Sequence, residues 1–287
     1  MLYLIIAITF GSLFAILFKI FQQRGIDALQ AIAVNYVVAF VLGMVGNASQ
    51  GLSATGIGSW LLPTILVGLF MMASFVTMNM ATRSHGIAIA TIAARVAFII
   101  PVLCAYLFLQ GNEPRWIASA LVIASLLLIF PHQSNGKSTT QQWIYPLLVF
   151  ACYGITNFLL KLSQQLVANA GGGDADLSLV TGIAFLSALL FTLLYYYLFL
   201  PRTQRTPLSW HNIVAGIVLG CVNVGCTYFL LKSLMVIDSG IFYPTYNIAI
   251  VTIATLVGRI GFGERLKITQ YIGVAVAILA IILFFYQ

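Results

Sequence analysis

The sequence predicts an all-α integral membrane protein with ten transmembrane helices, arranged as two inverted five-helix repeats. Three observations lead to this prediction. Of the 287 residues, 61% are hydrophobic and only 7% are charged, whereas a soluble domain carries about 25% charged residues. Long apolar segments recur along the whole chain. Short sequence matches also recur between its two halves.

Ten apolar segments are long enough, or nearly so, to cross a hydrocarbon core of about 30 Å, which takes about 20 helical residues. A helix satisfies its backbone polar groups within its own segment, as lipid requires. The predicted spans are Leu2–Phe21, Leu29–Val45, Trp60–Ala81, Gly86–Leu109, Trp116–Phe130, Trp143–Ser163, Leu177–Leu200, Ile213–Leu234, Gly240–Ile260 and Thr269–Tyr286. The connections between them are too short to form a soluble domain.

Matching residues follow one another in the same order in the two halves of the chain. The matched positions are Lys19 and Lys161 (161 − 19 = 142), Ser59 and Ser209 (209 − 59 = 150), Gly86 and Gly240 (240 − 86 = 154), and Trp116 and Tyr271 (271 − 116 = 155). Offsets that increase gradually are typical of two diverged copies separated by loop insertions. We therefore predict repeats at residues 1–136 and 137–287. Because five spans is an odd number, the second copy enters the membrane from the opposite side, which gives an inverted pseudo-two-fold.

The end of the second repeat carries the most specific motif in the chain. The sequence GERLK at 263–267, followed by QYIGVA at 270–275, resembles the "GE-R-L … Q-x-x-G" signature that closes EamA-type proteins of the drug/metabolite transporter superfamily. The first repeat has GNEP at 111–114 in place of GERL. In layout the resemblance covers essentially the whole chain. It implies a ten-helix inverted-repeat fold, termini on the cytoplasmic side, and export or exchange of small metabolites, amino acids among them.

Motifs of other functional classes are missing from the sequence. It contains no HExxH, no GxSxG and no Walker A loop, and His85, His132 and His211 lie in three separate loops. The four cysteines lie inside apolar segments and have no CxxC spacing. We therefore predict no enzyme activity, no metal and no cofactor, so that transport would be secondary or facilitated. The basic residues are scattered, which argues against nucleic-acid binding, and the net charge of +7 fits contact with anionic lipid head groups.

Charged residues inside the predicted spans are rare and positive. All six carboxylates fall in loops or at span ends, and the first span contains none. Small multidrug members of the superfamily that the chain resembles rely on a glutamate in the first helix, so the resemblance argues against a proton-coupled exporter of organic cations. Arg95 lies well inside the fourth span, and a charge at that depth normally faces a cavity or a partner. Two interpretations stay open. Arg95 could bind an anionic substrate group, or it could have a structural role, for instance by pairing with helix C-terminal carbonyls.

Amides and phenols inside the spans supply the other candidate binding residues, because such groups are costly in lipid unless they face another helix or a wet cavity. Interhelical hydrogen bonding is the alternative role for each of them. The cluster at 243–247 differs because Pro244 removes a backbone donor and frees a carbonyl, as at an interrupted helix in a transporter. The predicted substrate-binding residues are Asn35, Asn79, Arg95, Tyr153, Asn157, Asn223, Tyr228, Tyr243, Tyr246 and Asn247.

The sequence thus predicts a secondary transporter, and more specifically an exporter of small organic metabolites such as amino acids, that works by alternating access. The alternatives are a carrier for phosphorylated sugars or nucleotide sugars, and a non-transporting receptor or scaffold. The expected partners are the substrate and the bilayer of a cell membrane, here the inner membrane of a bacterium. A homodimer is a further option, because Gly216-x-x-x-Gly220 fits a packing face, although internal packing also uses such glycines. The distribution of basic residues favours termini outside, in disagreement with the family resemblance.

Overall fold

The computed structural model describes residues 2–85, 87–109, 115–129, 144–199, 209–261 and 268–286. Within these ranges the chain forms eleven α-helices and no β-strand. The helices are α1 (Leu2–Gln23), α2 (Ala28–Ser49), α3 (Ile57–His85), α4 (Ile87–Val96), α5 (Ile99–Phe108), α6 (Trp116–Ile129), α7 (Ile144–Asn169), α8 (Asp174–Leu198), α9 (Trp210–Val236), α10 (Ser239–Gly261) and α11 (Ile268–Tyr286). The predicted all-α class is therefore confirmed for the described residues.

Seven helical stretches among these residues are long and apolar enough to cross a membrane. They are Leu29–Ser49, Ile57–Ala81, Ala90–Phe108, Ile144–Asn169, Asp174–Leu198, Trp210–Val236 and Ser239–Val257. Three shorter apolar helices cover Leu2–Phe14, Trp116–Leu128 and Ile268–Leu283. This is the pattern of a multi-pass membrane protein. In the described residues each predicted span overlaps one helix, except the fourth, which overlaps both α4 and α5; the count of ten membrane spans stays a prediction.

The chain divides into two compact units, each built from helices of both sequence halves. The first unit comprises Met1–Met72 and Leu162–Met235, and the second comprises Ala73–Lys161 and Val236–Gln287. These units differ from the predicted repeats at 1–136 and 137–287. A repeat describes internal duplication rather than compactness, so the repeat boundaries stay a prediction.

Glycines allow the helices of the first unit to pack closely. Helices α2 and α8 run antiparallel and form a long contact, and a Cβ atom on Gly43 would lie 2.6 Å from the Cα of Gly182. On α9, a Cβ atom on Gly220 would lie 2.7 Å from the Cβ of Val38 on α2. Small residues at such positions let helix backbones approach in lipid, where van der Waals packing stabilises helix association. Gly216 also lies against α2, so the predicted packing face is used within the chain.

We expect Gly43→Val to destabilise the protein by about 1–3 kcal/mol, because the added atoms would force α2 and α8 apart. The measurement is the temperature at which half of the detergent-solubilised protein is lost from the monodisperse peak in size-exclusion chromatography. Gly58→Val is the matched control, since no atom lies within 4 Å of a Cβ at Gly58. Equal shifts for the two variants would contradict the close packing of α2 on α8.

A buried carboxylate ties the C-terminal end of α2 and the following loop to the start of α8. Asp176 is 1% exposed. Its oxygens accept hydrogen bonds from the Ser53 hydroxyl (2.8 and 2.9 Å), the Thr55 N–H (2.7 Å) and the Gly173 N–H (2.9 Å). Nearby, the Asn47 side-chain amide donates to the carbonyl oxygens of Ser53 and Ala175. These bonds fix the α2–α3 connection.

The N-terminal end of α2 is attached to α9 by a second polar network. Asp27 caps α2 by accepting a hydrogen bond from the Leu29 N–H at 2.9 Å. The Asn212 side-chain amide, at the start of α9, donates to Gln30 Oε1 at 2.7 Å, and its oxygen accepts from the Asp27 N–H at 3.2 Å. Polar contacts therefore hold α2 at both of its ends, and its apolar middle packs on α8 and α9.

Small residues also form the main helix contact of the second unit, between α6 and α11. On α11 the buried positions Gly273, Ala277 and Ala280 are spaced by four and three residues, which places them on one face of a helix. On α6 the buried Ala118 and Val122 repeat the same spacing. Helix α10 contacts α5, α6 and α11, so it lies within the interior of this unit.

Candidate functional site

The fourth predicted span is interrupted near its middle. Helix α4 ends at Val96 and α5 begins at Ile99. Pro101 has no N–H, and its ring clashes with the carbonyl four residues earlier, at Ala97. At the break, the Phe98 N–H donates to the carbonyl of Arg95, three residues earlier instead of four, at 3.4 Å. From the sequence alone, Pro101 predicts a simple kink in this span, whereas the structure has a break between two ten-residue helices.

Arg95 lies in the last turn of α4, directly before this break. Helix carbonyls that point beyond the C-terminus favour a cation at this position. The half-buried guanidinium donates from Nη1 to the side-chain oxygen of Asn247 on α10, at 3.3 Å. Among the residues that the structure describes, no carboxylate forms an ion pair with Arg95. The described hydrogen-bond partner of Arg95, the Asn247 side chain, is therefore neutral.

Helix α10 presents a connected set of polar groups around its internal proline, Pro244. The Asn247 side-chain nitrogen donates to the Tyr243 carbonyl one turn earlier, at 2.9 Å. The Tyr243 hydroxyl in turn donates to the backbone carbonyl of Asn157 on α7, at 2.6 Å. Arg95, Asn247, Tyr243 and Asn157 thus form a chain of hydrogen bonds that connects α4, α10 and α7.

Tyr153 belongs to the same region of the second unit. It packs against a buried apolar cluster that includes Ala94, the neighbour of Arg95. Tyr246 stacks on Phe242, with ring centroids 5.3 Å apart and an interplanar angle of 14°. The structure therefore brings Arg95, Tyr153, Asn157, Tyr243 and Asn247 together, and these five residues are the candidate site.

The other predicted residues lie elsewhere. Asn79 is exposed on the part of α3 that belongs to the second unit. Asn35 and Asn223 belong to the first unit, where the Asn223 amide donates to Asn35 Oδ1 at 3.1 Å and both side chains are buried. That contact is the interhelical hydrogen bond that the sequence offered as the alternative role of such amides. Tyr228 also lies in the first unit.

Tyr228 contributes to a charged cluster that the sequence did not predict. The Lys232 ammonium is 2.6 Å from an Asp174 carboxylate oxygen and lies over the rings of Tyr3 and Tyr228, at 4.9 and 5.5 Å from their centroids. Tyr228 and Lys232 are four residues apart on α9, so their shared face could have been predicted from spacing. The ion pair with Asp174 could not be predicted in this way, because Asp174 lies on another helix, α8.

The family motif and the possible metal ligands add nothing to the candidate site. Glu113 and the GERLK motif at 263–267 lie outside the described residues, so the family signature has no structural description here. In the ranges that the structure covers, no group of three or more His, Cys, Asp or Glu side chains could hold a metal ion.

Comparison with known proteins gives the fold but no named activity. No protein-family model matches the sequence. The chain is similar to an uncharacterized protein of Haemophilus influenzae, with 27% identity over 294 residues that cover 99% of this chain and 97% of that protein. It is also similar to a protein of known crystal structure, with a TM-score of 0.76 and 16% identity over 98% of this chain and 94% of the other. Over 98% of its length the chain thus has a fold already seen in a crystal structure.

Proposed function

We propose that this protein is a secondary transporter of the drug/metabolite transporter superfamily, of the EamA type. It exports a small metabolite with a carboxylate group, and we propose amino acids as the substrate class. The proposed location is the cell membrane, which for a bacterium is the inner membrane. The mechanism is alternating access around a site in which Arg95 binds the carboxylate and neighbouring amides and phenols orient the substrate.

The observation that carries this proposal is the charge of Arg95, which no carboxylate among the described residues neutralises. A cation inside an apolar helix is costly and is normally paired or exposed to a water-filled cavity. A guanidinium has five N–H donors, and one of them is used by the neutral Asn247 side chain. The remaining donors can bind a carboxylate in the bidentate geometry that arginine favours.

The contact between α2 and α8 supports an inverted repeat. A pseudo-two-fold axis in the membrane plane places equivalent residues of the two copies opposite each other on antiparallel helices. Tyr36 on α2 and Phe185 on α8 have ring centroids 5.9 Å apart, and their separation (185 − 36 = 149) lies between the repeat offsets of 142 and 150 found in the flanking sequence. Nearly equivalent residues therefore meet where these helices cross.

The same relation supports a central position for Arg95. Arg95 and Asn247 are 152 residues apart, close to the offset of 154 between Gly86 and Gly240. Residues related in this way meet near the pseudo-two-fold axis, which lies at the membrane midplane. Interrupted helices whose ends face the substrate are typical of transporter sites at this depth. The break after α4 is one such interruption. The interruption predicted at Pro244 is absent, because α10 continues as a helix through this proline.

The charge of the site favours a carboxylate over a phosphorylated substrate. A sugar phosphate or nucleotide sugar carries more negative charge and would require several convergent cations. Among the described residues of the candidate site, Arg95 is the one cation, and one guanidinium matches one carboxylate.

The experiment compares small molecules in the medium of cells that overproduce the wild type or Arg95→Gln at equal membrane protein levels. We expect one or a few amino acids to accumulate outside cells with the wild type only. That result would identify the substrate and the direction together. Identical profiles, combined with no amino-acid flux through the purified wild type in liposomes, would contradict the proposed function.

A further inference from the structure

Asn247 is the side chain that accepts a hydrogen bond from Arg95, and its amide is held in one orientation. Its amide oxygen accepts from Arg95 at 3.3 Å, while its amide nitrogen donates to the Tyr243 carbonyl at 2.9 Å. The reversed amide would place NH₂ hydrogens against a guanidinium donor and an oxygen against a carbonyl oxygen. Only one orientation satisfies both neighbours. Because Asn247 is 6% exposed, the surrounding protein holds it in that orientation.

We infer that Asn247 is a specificity-determining positioning residue: its neutral amide orients Arg95 without cancelling the arginine charge, so that the site selects a substrate group with one negative charge. This inference rests on the proposed function. An aspartate has nearly the same shape as an asparagine, but it would form an internal ion pair with Arg95 and leave the site with no net charge. The identity of residue 247 therefore sets the charge preference, although its described contacts are with protein groups.

The closing experiment uses substrates that differ in the carboxylate alone. Purified protein in liposomes is given an equimolar mixture of the common L-amino acids and, separately, the same amino acids as C-terminal amides, with flux measured by mass spectrometry. The variants are Asn247→Asp, Asn247→Ser, and Asn169→Asp as a matched control, because Asn169 is exposed at the end of α7. We expect the wild type and the control to transport acids over amides. Asn247→Asp should lose acid flux by about tenfold or more, while Asn247→Ser, which keeps a neutral acceptor, retains part of it.

A thermal cycle tests the contact without any substrate. Asn247→Asp is made in the wild type and in Arg95→Gln, and the midpoint of heat inactivation in detergent is compared. If the two side chains interact, the aspartate should cost about 5 °C more when Arg95 is absent, because its charge is then unpaired. Equal costs in the two backgrounds would overturn the inferred pairing.

The outcomes separate this inference from the function on which it rests. If the wild type transports acids and Asn247→Asp does so equally well, the inference is wrong and the proposed function stands. If the wild type moves neither mixture, the proposed function fails and this inference fails with it. Loss of acid flux in Asn247→Ser equal to that in Asn247→Asp would show that shape rather than charge matters, and would also overturn the inference.

Discussion

Substitution of Arg95 by glutamine is expected to lower substrate flux about 30-fold or more while leaving the protein folded. The guanidinium is the group that would pair with the substrate carboxylate, and removal of one partner of a buried charge pair costs about 2–5 kcal/mol, where each 1.4 kcal/mol is a factor of ten. Folding should tolerate the change, because the described hydrogen bond from Arg95 to Asn247 can be replaced by one from the glutamine amide.

The companion variant Arg95→Lys separates charge from geometry. Lysine keeps the positive charge but lacks the planar fork that binds a carboxylate through two parallel bonds. We therefore expect flux between that of Arg95→Gln and that of the wild type. The measurement is the initial rate of amino-acid efflux from liposomes containing equal amounts of monodisperse protein. If Arg95→Gln transports as fast as the wild type, Arg95 does not bind the substrate and has the structural role that the sequence left open.

Substitution of Asp176 by alanine is expected to have the largest effect on stability. The buried carboxylate accepts hydrogen bonds from the Ser53 hydroxyl and from the Thr55 and Gly173 N–H groups. Alanine would leave these donors without their acceptor in a buried position. Loss of one partner in a buried charged network costs about 3–5 kcal/mol, which for a protein of this size lowers the thermal midpoint by about 10 °C.

Asp174 provides the matched control, because it lies two residues earlier in the same helical turn. Its side chain is 47% exposed and pairs with Lys232, and half-exposed ion pairs contribute about 1 kcal/mol or less. Heat stability of Asp174→Ala and Asp176→Ala is measured side by side in the same detergent. A shift for Asp176→Ala no larger than that for Asp174→Ala would show that the network around Asp176 does not stabilise the first unit.

The helices could be predicted from the sequence because membrane helices are specified by length and apolarity within one segment. The break at Ala97–Phe98 was underestimated as a kink at Pro101, because the sequence shows where a backbone donor is missing but not how the chain rearranges around it. Helix α3 starts before its predicted span, at Ile57, and α7 ends after its predicted span, at Asn169. Hydropathy falls where a segment leaves the membrane, whereas the helix itself continues into the polar residues beyond.

The candidate site could be predicted in part, for a similar reason. Arg95 and Asn247 were selected because polar groups inside apolar segments need partners, and the structure places them in contact. The pairing itself, across 152 residues, depends on tertiary packing. The role of Asp176 was missed because its partner Ser53 lies 123 residues away and neither residue stands inside a predicted span. Long-range polar contacts at loop ends leave no periodic signal.

Counterflow in liposomes tests the central claim, a carrier with alternating access, most directly. Vesicles containing the purified wild type are loaded with a concentrated mixture of unlabelled L-amino acids and diluted into a trace of the same mixture carrying an isotopic label. A carrier exchanges one solute for another, so we predict that at least one labelled amino acid accumulates inside transiently above its equilibrium level. Label that enters only to equilibrium would indicate a channel. Label that enters no faster than into protein-free vesicles would contradict transport of these solutes altogether.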